Sequence, residues 1–357
     1  MNINFLIGTK AQFIKCIPVI NKAIDRSINV NLYDLKQHAQ TTNTLRAKIK
    51  DNFNYIELNS NSTDLGSYWK LINWFFVNLI KFLLFPSKEI KKEICIVHGD
   101  TLSTLLGVIK VKRSGGILTL LESGHKVPGI FKHFPESIIR YISAKFSDVL
   151  IVNGIDQINQ LESWKIKGDI IEISQNTIYE SVLGERLARR EKSNIVLVSI
   201  HRTENLNNKK SLELLAQNLI SLSKRFKIIW CLHIPTKNKL KKYNLYDGLI
   251  KNGVELKDLI PYKEFLTTIN NSEFVITDGG GVVEECRIIG TPTLVWREEH
   301  LDQNHLFDEN TNLKLSFYNQ DSINSFIKNY KKYKNPFQER EGSNPSSEIL
   351  DNLEIYI

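Results

Sequence analysis

Short apolar runs alternate with amphipathic stretches along this chain, and the alternation runs through twice. INFLIGT, INVNLYDL, KEICIVHGD, GILTLLESG and DVLIVNG read as strands; KAQFIKCIPVINKAI, TLSTLLGVIKVKRSG and PESIIRYISAKFS, lying between them, read as helices. Strands joined through helices form parallel sheets, because a parallel neighbour needs a crossover. Residues 181–192, SVLGERLARREK, are polar and charged, as a linker or connecting helix would be. The pattern then restarts with the strands NIVLVSIHR, FKIIWCLHIP, SEFVITDGG and TPTLVW, interleaved with the helical LELLAQNLISLSKR, EFLTTINNS and GVVEECRIIG. The expected fold is α/β, with two Rossmann-like doubly wound domains at residues 1–180 and 192–335 and a cleft between them. Residues 336–357 are expected to form a C-terminal helix returning to the first domain. A length of 357 residues suits two cores better than one. Ligands of such sheets bind beyond the carboxyl ends of the strands, so polar clusters at strand ends are the candidate sites.

Composition narrows the partners. The net charge of +8 is spread along the chain, and no basic block interleaved with aromatics marks a nucleic-acid stripe. Cys16, Cys95, Cys231 and Cys286 are far apart, without metal-ligand or disulfide spacing, which fits a reduced, cytoplasmic protein. The opening MNINFLIGTK reads as a strand and lacks the basic segment and cleavage site of a signal peptide. The most lipid-like stretch, WKLINWFFVNLIKFLLFP at residues 69–86, is interrupted by Lys70, Asn73, Asn78 and Lys81. These fall on roughly one helical stripe. Three readings stand for it: a helix buried against a sheet, a subunit interface, or a membrane-surface contact.

Four clusters sit at strand ends. IVHGDT ends in His98 and Asp100; Asp100 suits either a helix cap or chemistry. LLESGHKVPGIFKHFPE carries Glu122 at a strand end and Glu136 at a helix start, where a first-turn acid is the plain explanation. Clustered carboxylates are expected to raise one another's pKa and to divide acid and base roles. SIHRTENL brings His201 and Arg202 to a strand end, a pair suited to phosphate, and His233 ends the next strand in CLHIP. In ITDGGGVVEE, the amides of Gly279, Gly280 and Gly281 open a helix expected to begin near Val282 and can cradle a diphosphate. Neither a GxGxxG after the first strand nor a lysine after the triple glycine is present, which leaves a nucleotide-sugar as the ligand. A glutamate one turn into the helix would reach ribose hydroxyls.

The ordered set GTKAQFIK, QH, HGDT, ESG, PE, HRTEN, DGGGVVEE and GSNPSSEIL resembles the UDP-N-acetylglucosamine 2-epimerase family over nearly the whole chain. That resemblance implies a GT-B-like fold and a UDP-sugar substrate. The chemistry it implies is anti elimination of UDP with loss of the C2 proton, a glycal intermediate, and re-addition after protonation of the opposite face. It implies no redox cofactor and no metal, a homodimer, and a role in surface polysaccharide synthesis. By the same resemblance Asp100, Glu122 and Glu136 match the catalytic acids and His201 the catalytic histidine. Glu285 matches the ribose ligand, Gly280 and Gly281 the phosphate glycines, and Lys10 and Lys15 the basic positions of the first loop. Arg297, with Arg202 and His233, completes the expected substrate contacts.

The departures are specific. GTKAQ stands where the family usually reads GTRPE, so Lys10 keeps a charge without a bidentate fork and Gln12 replaces an acid. Gly279 replaces a serine, removing a hydroxyl expected on phosphate. ESGHK replaces EAGLR, PES replaces PEE, and EEHLDQNH at 298–305 replaces TTERPE. LNSNSTDLG at 58–66 lacks the Gln-rich segment that holds an activating second UDP-sugar in bacterial members. The other readings the scaffold allows are a GT-B glycosyltransferase and a hydrolysing 2-epimerase that releases free sugar and UDP.

Overall fold

The computed structural model describes residues 2–59, 65, 68–126, 135–191, 193–298, 307, 311–338 and 342–356. Most of the 298–305 segment, and most of the 58–66 segment beyond Asn59, lie outside the described residues. The chain divides into two compact units, Met1–Ser181 with Gly342–Ile357, and Val182–Glu341.

In the first unit the strands are β1 (Asn2–Ile7), β2 (Asn29–Asp34), β3 (Phe53–Glu57), β4 (Ile94–His98), β5 (Ile117–Leu121), β6 (Val149–Val152) and β7 (Asp169–Glu172). Its helices are α1 (Lys10–Asp25), α2 (Ala39–Arg46), α3 (Tyr68–Leu84), α4 (Leu102–Ser114), α5 (Glu136–Phe146), α6 (Ile155–Ser163) and α7 (Ile178–Gly184), the last of which runs on into the second unit. The strands pair in parallel in the order β3-β2-β1-β4-β5-β6-β7. Central strands such as β4 and β6 are buried along their whole length, as expected where helices cover both faces.

The second unit carries β8 (Ile195–Ser199), α8 (Thr203–Asn207), α9 (Lys209–Ser223), β9 (Lys227–Leu232), α10 (Ile234–Lys242), α11 (Tyr246–Lys251), β10 (Val254–Asp258) and α12 (Tyr262–Asn271). It continues through β11 (Phe274–Thr277), α13 (Gly280–Ile289), β12 (Thr293–Val295), β13 (Leu313–Leu315) and α14 (Gln320–Asn329). Its parallel sheet has the order β10-β9-β8-β11-β12-β13. The core is built on Phe274, Trp230, Trp296 and Phe326. Finally α15 (Pro345–Leu353) packs on α1 of the first unit, with Ser346 N donating to Glu180 Oε2 over 3.1 Å.

Both sheets reverse strand order at their centres, between β1 and β4 and between β8 and β11. That reversal opens a crevice at the carboxyl ends of the central strands. GTKAQ and HGDT leave β1 and β4; HRTEN and DGGG leave β8 and β11.

One local expectation, for the helix at 69–86, changes. Residues 181–191 are the end of α7 followed by non-helical chain, which fits the linker reading. Arg190 ties that chain down by donating to the Asn270 and Ser272 carbonyls and to Thr291 Oγ1. α3 is only half buried: Trp74 and Phe82 enter the core, but Trp69, Phe76, Val77, Ile80, Leu84 and Phe85, which follows its last turn, are more than half exposed. The polar stripe does not define its solvent face, because Asn78 is buried and donates to the Trp74 carbonyl over 2.7 Å. No helix among the described residues is long and apolar enough to cross a membrane.

Candidate functional site

In the first unit the chemistry gathers around Glu122. The residue follows β5 directly and adopts a left-handed backbone at φ 58°. Gly124, at φ 75°, lets the turn press against α6, since a Cβ there would stand 2.5 Å from the Gln157 carbonyl oxygen. The Glu122 carboxylate is largely enclosed and meets four side chains. Lys15 Nζ lies 2.5 Å from Oε1, His125 Nε2 lies 3.3 Å from Oε1, and His98 Nε2 lies 3.1 Å from Oε2. Asn176 Nδ2 donates to Oε1 over 3.2 Å. Asp100, just beyond β4, receives Arg140 Nε at 2.5 Å from α5. Glu136 is the exposed first residue of that helix, four before Arg140, so the two share one helix face.

The expectation that the clustered carboxylates raise one another's pKa fails for two of the three. Burial alone pushes Glu122 up, but Lys15 and the two histidines overcome it and hold the carboxyl well below the usual range. Asp100 also ends below its ordinary value: burial is opposed by Arg140 and His125, and Glu122 works only weakly the other way. Both acids therefore rest as anions.

Lys10 and Lys15 belong to a helix, not to the first loop. Lys10 opens α1, with its amide 3.4 Å from His38 Nδ1, and Lys15, buried, meets Glu122. Gln12 proves to be a fastener. Its Oε1 accepts from the amides of Gly8 and Thr9 and from Ser103 Oγ. Its Nε2 donates to the His98 carbonyl at 2.8 Å, to Thr104 Oγ1 at 2.9 Å and to Thr101 Oγ1 at 3.1 Å. An amide, both donor and acceptor, locks the exits of β1 and β4 together.

In the second unit the organiser is Asp278, fully buried in the DGGG turn. Its carboxylate accepts from the amide of His201 at 3.0 Å, the amide of Arg202 at 2.9 Å and Asn205 Nδ2 at 2.8 Å. Its carbonyl takes Arg297 Nε at 2.8 Å and Nη2 at 2.5 Å. Arg297 thus pins the glycine turn, and Arg202 Nε contacts Glu204 at 2.6 Å.

The ring of His201 lies between Gly279 and His233. The two imidazole centroids are 4.7 Å apart, and a Cβ on Gly279 would stand 2.5 Å from His201 Cε1. Removal of the serine therefore does more than delete a hydroxyl: it makes room for the ring as it sits. Burial lowers the His201 pKa, so the resting ring is neutral. Helix α13 begins at Gly280, two residues before Val282, and the Gly279 amide already donates to Thr277 Oγ1 over 3.2 Å. Glu284 and Glu285 are both buried on α13. Burial and Glu285 together hold the Tyr262 hydroxyl far above its usual pKa.

Sequence reading named His98 and Gln12 without giving them a role at the site, and missed Asp278, His125, Asn176 and Arg140. A signal existed for Asp278, which stands between a strand and a triple glycine. Arg140 carried none, being one charged residue on an amphipathic helix.

A model of the UDP-N-acetylglucosamine 2-epimerase family matches residues 25–345. The UDP-N-acetylglucosamine 2-epimerase of Methanococcus maripaludis is 26% identical over 377 aligned residues, covering 98% of this chain and 97% of that protein. The Methanocaldococcus jannaschii UDP-GlcNAc 2-epimerase in complex with UDP-GlcNAc and UDP superposes with a TM-score of 0.81 at 23% identity, covering all of both chains. The Neisseria meningitidis UDP-GlcNAc 2-epimerase bound to UDP-GlcNAc also gives a TM-score of 0.81, at 21% identity over 99% of this chain and 100% of that one.

Proposed function

The chain belongs to the UDP-N-acetylglucosamine 2-epimerase family, and from that premise we propose that it interconverts UDP-GlcNAc and UDP-ManNAc. The observation that carries the reading is Glu122 at the end of β5, beside the switch point of the first sheet, ringed by Lys15, His98 and His125. A carboxylate so held is in its base form at neutral pH, as a general base must be, while the donors that keep it ionised also weaken it as a base. In the proposed reaction a carboxylate of the Asp100, Glu122 and Glu136 set removes the C2 proton. The C1–O bond breaks and UDP departs, leaving a glycal. UDP then re-adds at C1, and the other face of C2 takes a proton from a second carboxyl of the set, which first gains that proton from solvent because Asp100 and Glu122 rest as anions.

The second unit holds UDP in this reading. A diphosphate beside neutral His201 would favour its imidazolium form and so draw a second charge onto the leaving group. The helix N-terminus at Gly280 and Gly281 adds backbone donors. Arg202, His233 and Lys10 are the proposed further phosphate contacts, and Glu285 the ribose contact. Arg297 and Lys15 serve by fixing Asp278 and Glu122. A glycosyltransferase or a sugar-releasing variant has less support, since the family match and the curated relatives are named as epimerases.

Incubation with UDP-GlcNAc in heavy water, followed by NMR, is the test. Deuterium at C2 with UDP-ManNAc formed is the expected outcome. No incorporation from any UDP-HexNAc sinks the reading, and free ManNAc would identify the hydrolysing variant.

We further propose that the product feeds surface polysaccharide assembly in the cytoplasm, and that the chain works as a homodimer. The exposed apolar row of Phe76, Val77, Ile80 and Leu84 on α3 is the face proposed to meet the second copy. Phe76→Asp with Ile80→Asp should shift the sedimentation coefficient to that of a monomer.

A further inference from the structure

His125 stands where the family pattern has an aliphatic residue, and its surroundings settle which ring nitrogen carries its proton. The Asn153 amide donates to Gln157 Oε1 over 2.7 Å. A backbone N–H can only donate, so this contact fixes the oxygen end of the amide. The Nε2 end of Gln157 then faces His125 Nδ1 at 3.5 Å. An amide NH2 can only donate, so in the neutral ring Nδ1 is the acceptor nitrogen and the proton sits on Nε2. That N–H points at Glu122 Oε1, 3.3 Å away.

The two oxygens of Glu122 are thereby made unequal. Oε1 takes Lys15, Asn176 and His125; Oε2 takes His98. A carboxylate oxygen with three donors has little basicity left, whereas the oxygen with one donor keeps a lone pair to offer. The turn that carries both residues is closely packed, since a Cβ at Gly124 would stand 2.5 Å from the Gln157 carbonyl oxygen.

We propose that His125, held by Gln157 as the Nε2–H tautomer, is a positioning residue that anchors Oε1 of Glu122 and so makes Oε2 the oxygen that exchanges the substrate proton. The charged and titratable groups facing the pair are Lys15 from α1, His98 and Asp100 from the end of β4, and Glu122 itself. The proposal rests on the epimerase reading for the identity of the proton, but not for the geometry.

Its test therefore has two arms. The first needs no turnover: nitrogen-15 NMR of the imidazoles and carbon-13 titration of the Glu122 carboxyl, the latter assigned with Glu122→Gln. The His125 ring should show the Nε2–H tautomer. His125→Leu should move the Glu122 midpoint upward, because a donor to the anion is lost, and His125→Gln, which keeps an N–H near the Nε2 position, should restore it. The second arm is C2 exchange. His125→Leu should lower kcat about tenfold, the size of one lost hydrogen bond to a charged group, with KM within about twofold. The acid limb of its pH profile should shift to higher pH, and His125→Gln should recover most of the rate. An Nδ1–H tautomer, or an unmoved Glu122 midpoint in His125→Leu, overturns the proposal. The expected tautomer and midpoint without C2 exchange by the parent chain would overturn the epimerase reading and leave the anchoring in place.

Discussion

Glu122 holds its left-handed backbone against a cost of about 1 kcal/mol, the usual penalty for a side chain in that region. Four side-chain partners over-determine it, which is how such strain persists at a site. Gly279 shows the opposite economy: a missing side chain admits a ring. Gly279→Ser should expel His201 from its place against His233, not simply add a phosphate ligand. The expected result is a fall in kcat of about tenfold or more, because small misplacements of catalytic groups are costly. UDP affinity, read by calorimetry, should change less. If the serine variant is instead faster, the contact between Gly279 and His201 does not govern the ring. The DGGG motif itself was legible in the sequence; the histidine packed on it was not, since nothing local ties residue 279 to residue 201.

At the scale of elements, Gln12 governs how α1 and α4 leave their strands. It completes the capping box with Thr9 and reaches across to Thr101 and Thr104, themselves a second capping box. Restoring an acid here, Gln12→Glu, places a carboxylate against the His98 carbonyl, where the amide now donates over 2.8 Å. Two hydroxyls lose their donor as well. The expected cost is about 1–3 kcal/mol of unfolding free energy, measured in urea, the penalty for a buried group left without its partner. The helices and strands were legible because apolar periodicity records burial. The face of α3 was less so, because Asn78 satisfies itself on its own helix and its polarity says nothing about solvent.

For the whole molecule, the two doubly wound sheets follow from the repeated strand–helix alternation, and the crevice ends of the central strands follow from the strand order. The electrostatics of the site did not follow: a list of acids in sequence suggests mutual repulsion, and only the fold brings Lys15, His98 and Arg140 onto them. This balance predicts acid sensitivity. The folded-state pKa of Glu122 is depressed below 4.5, so its contribution to stability is full above that value and is lost as pH falls through the folded pKa. Urea-unfolding free energy should drop more steeply from about pH 5 to about pH 3 in the parent than in Glu122→Gln. Equal slopes would mean that the carboxylate is not held as the contacts imply. The return of α15 to α1 has a consequence for biogenesis. A ribosome delivers the partner of α1 only after all of the second unit has been made, so the first unit, although begun first, is completed after the second, which can fold while the first still waits.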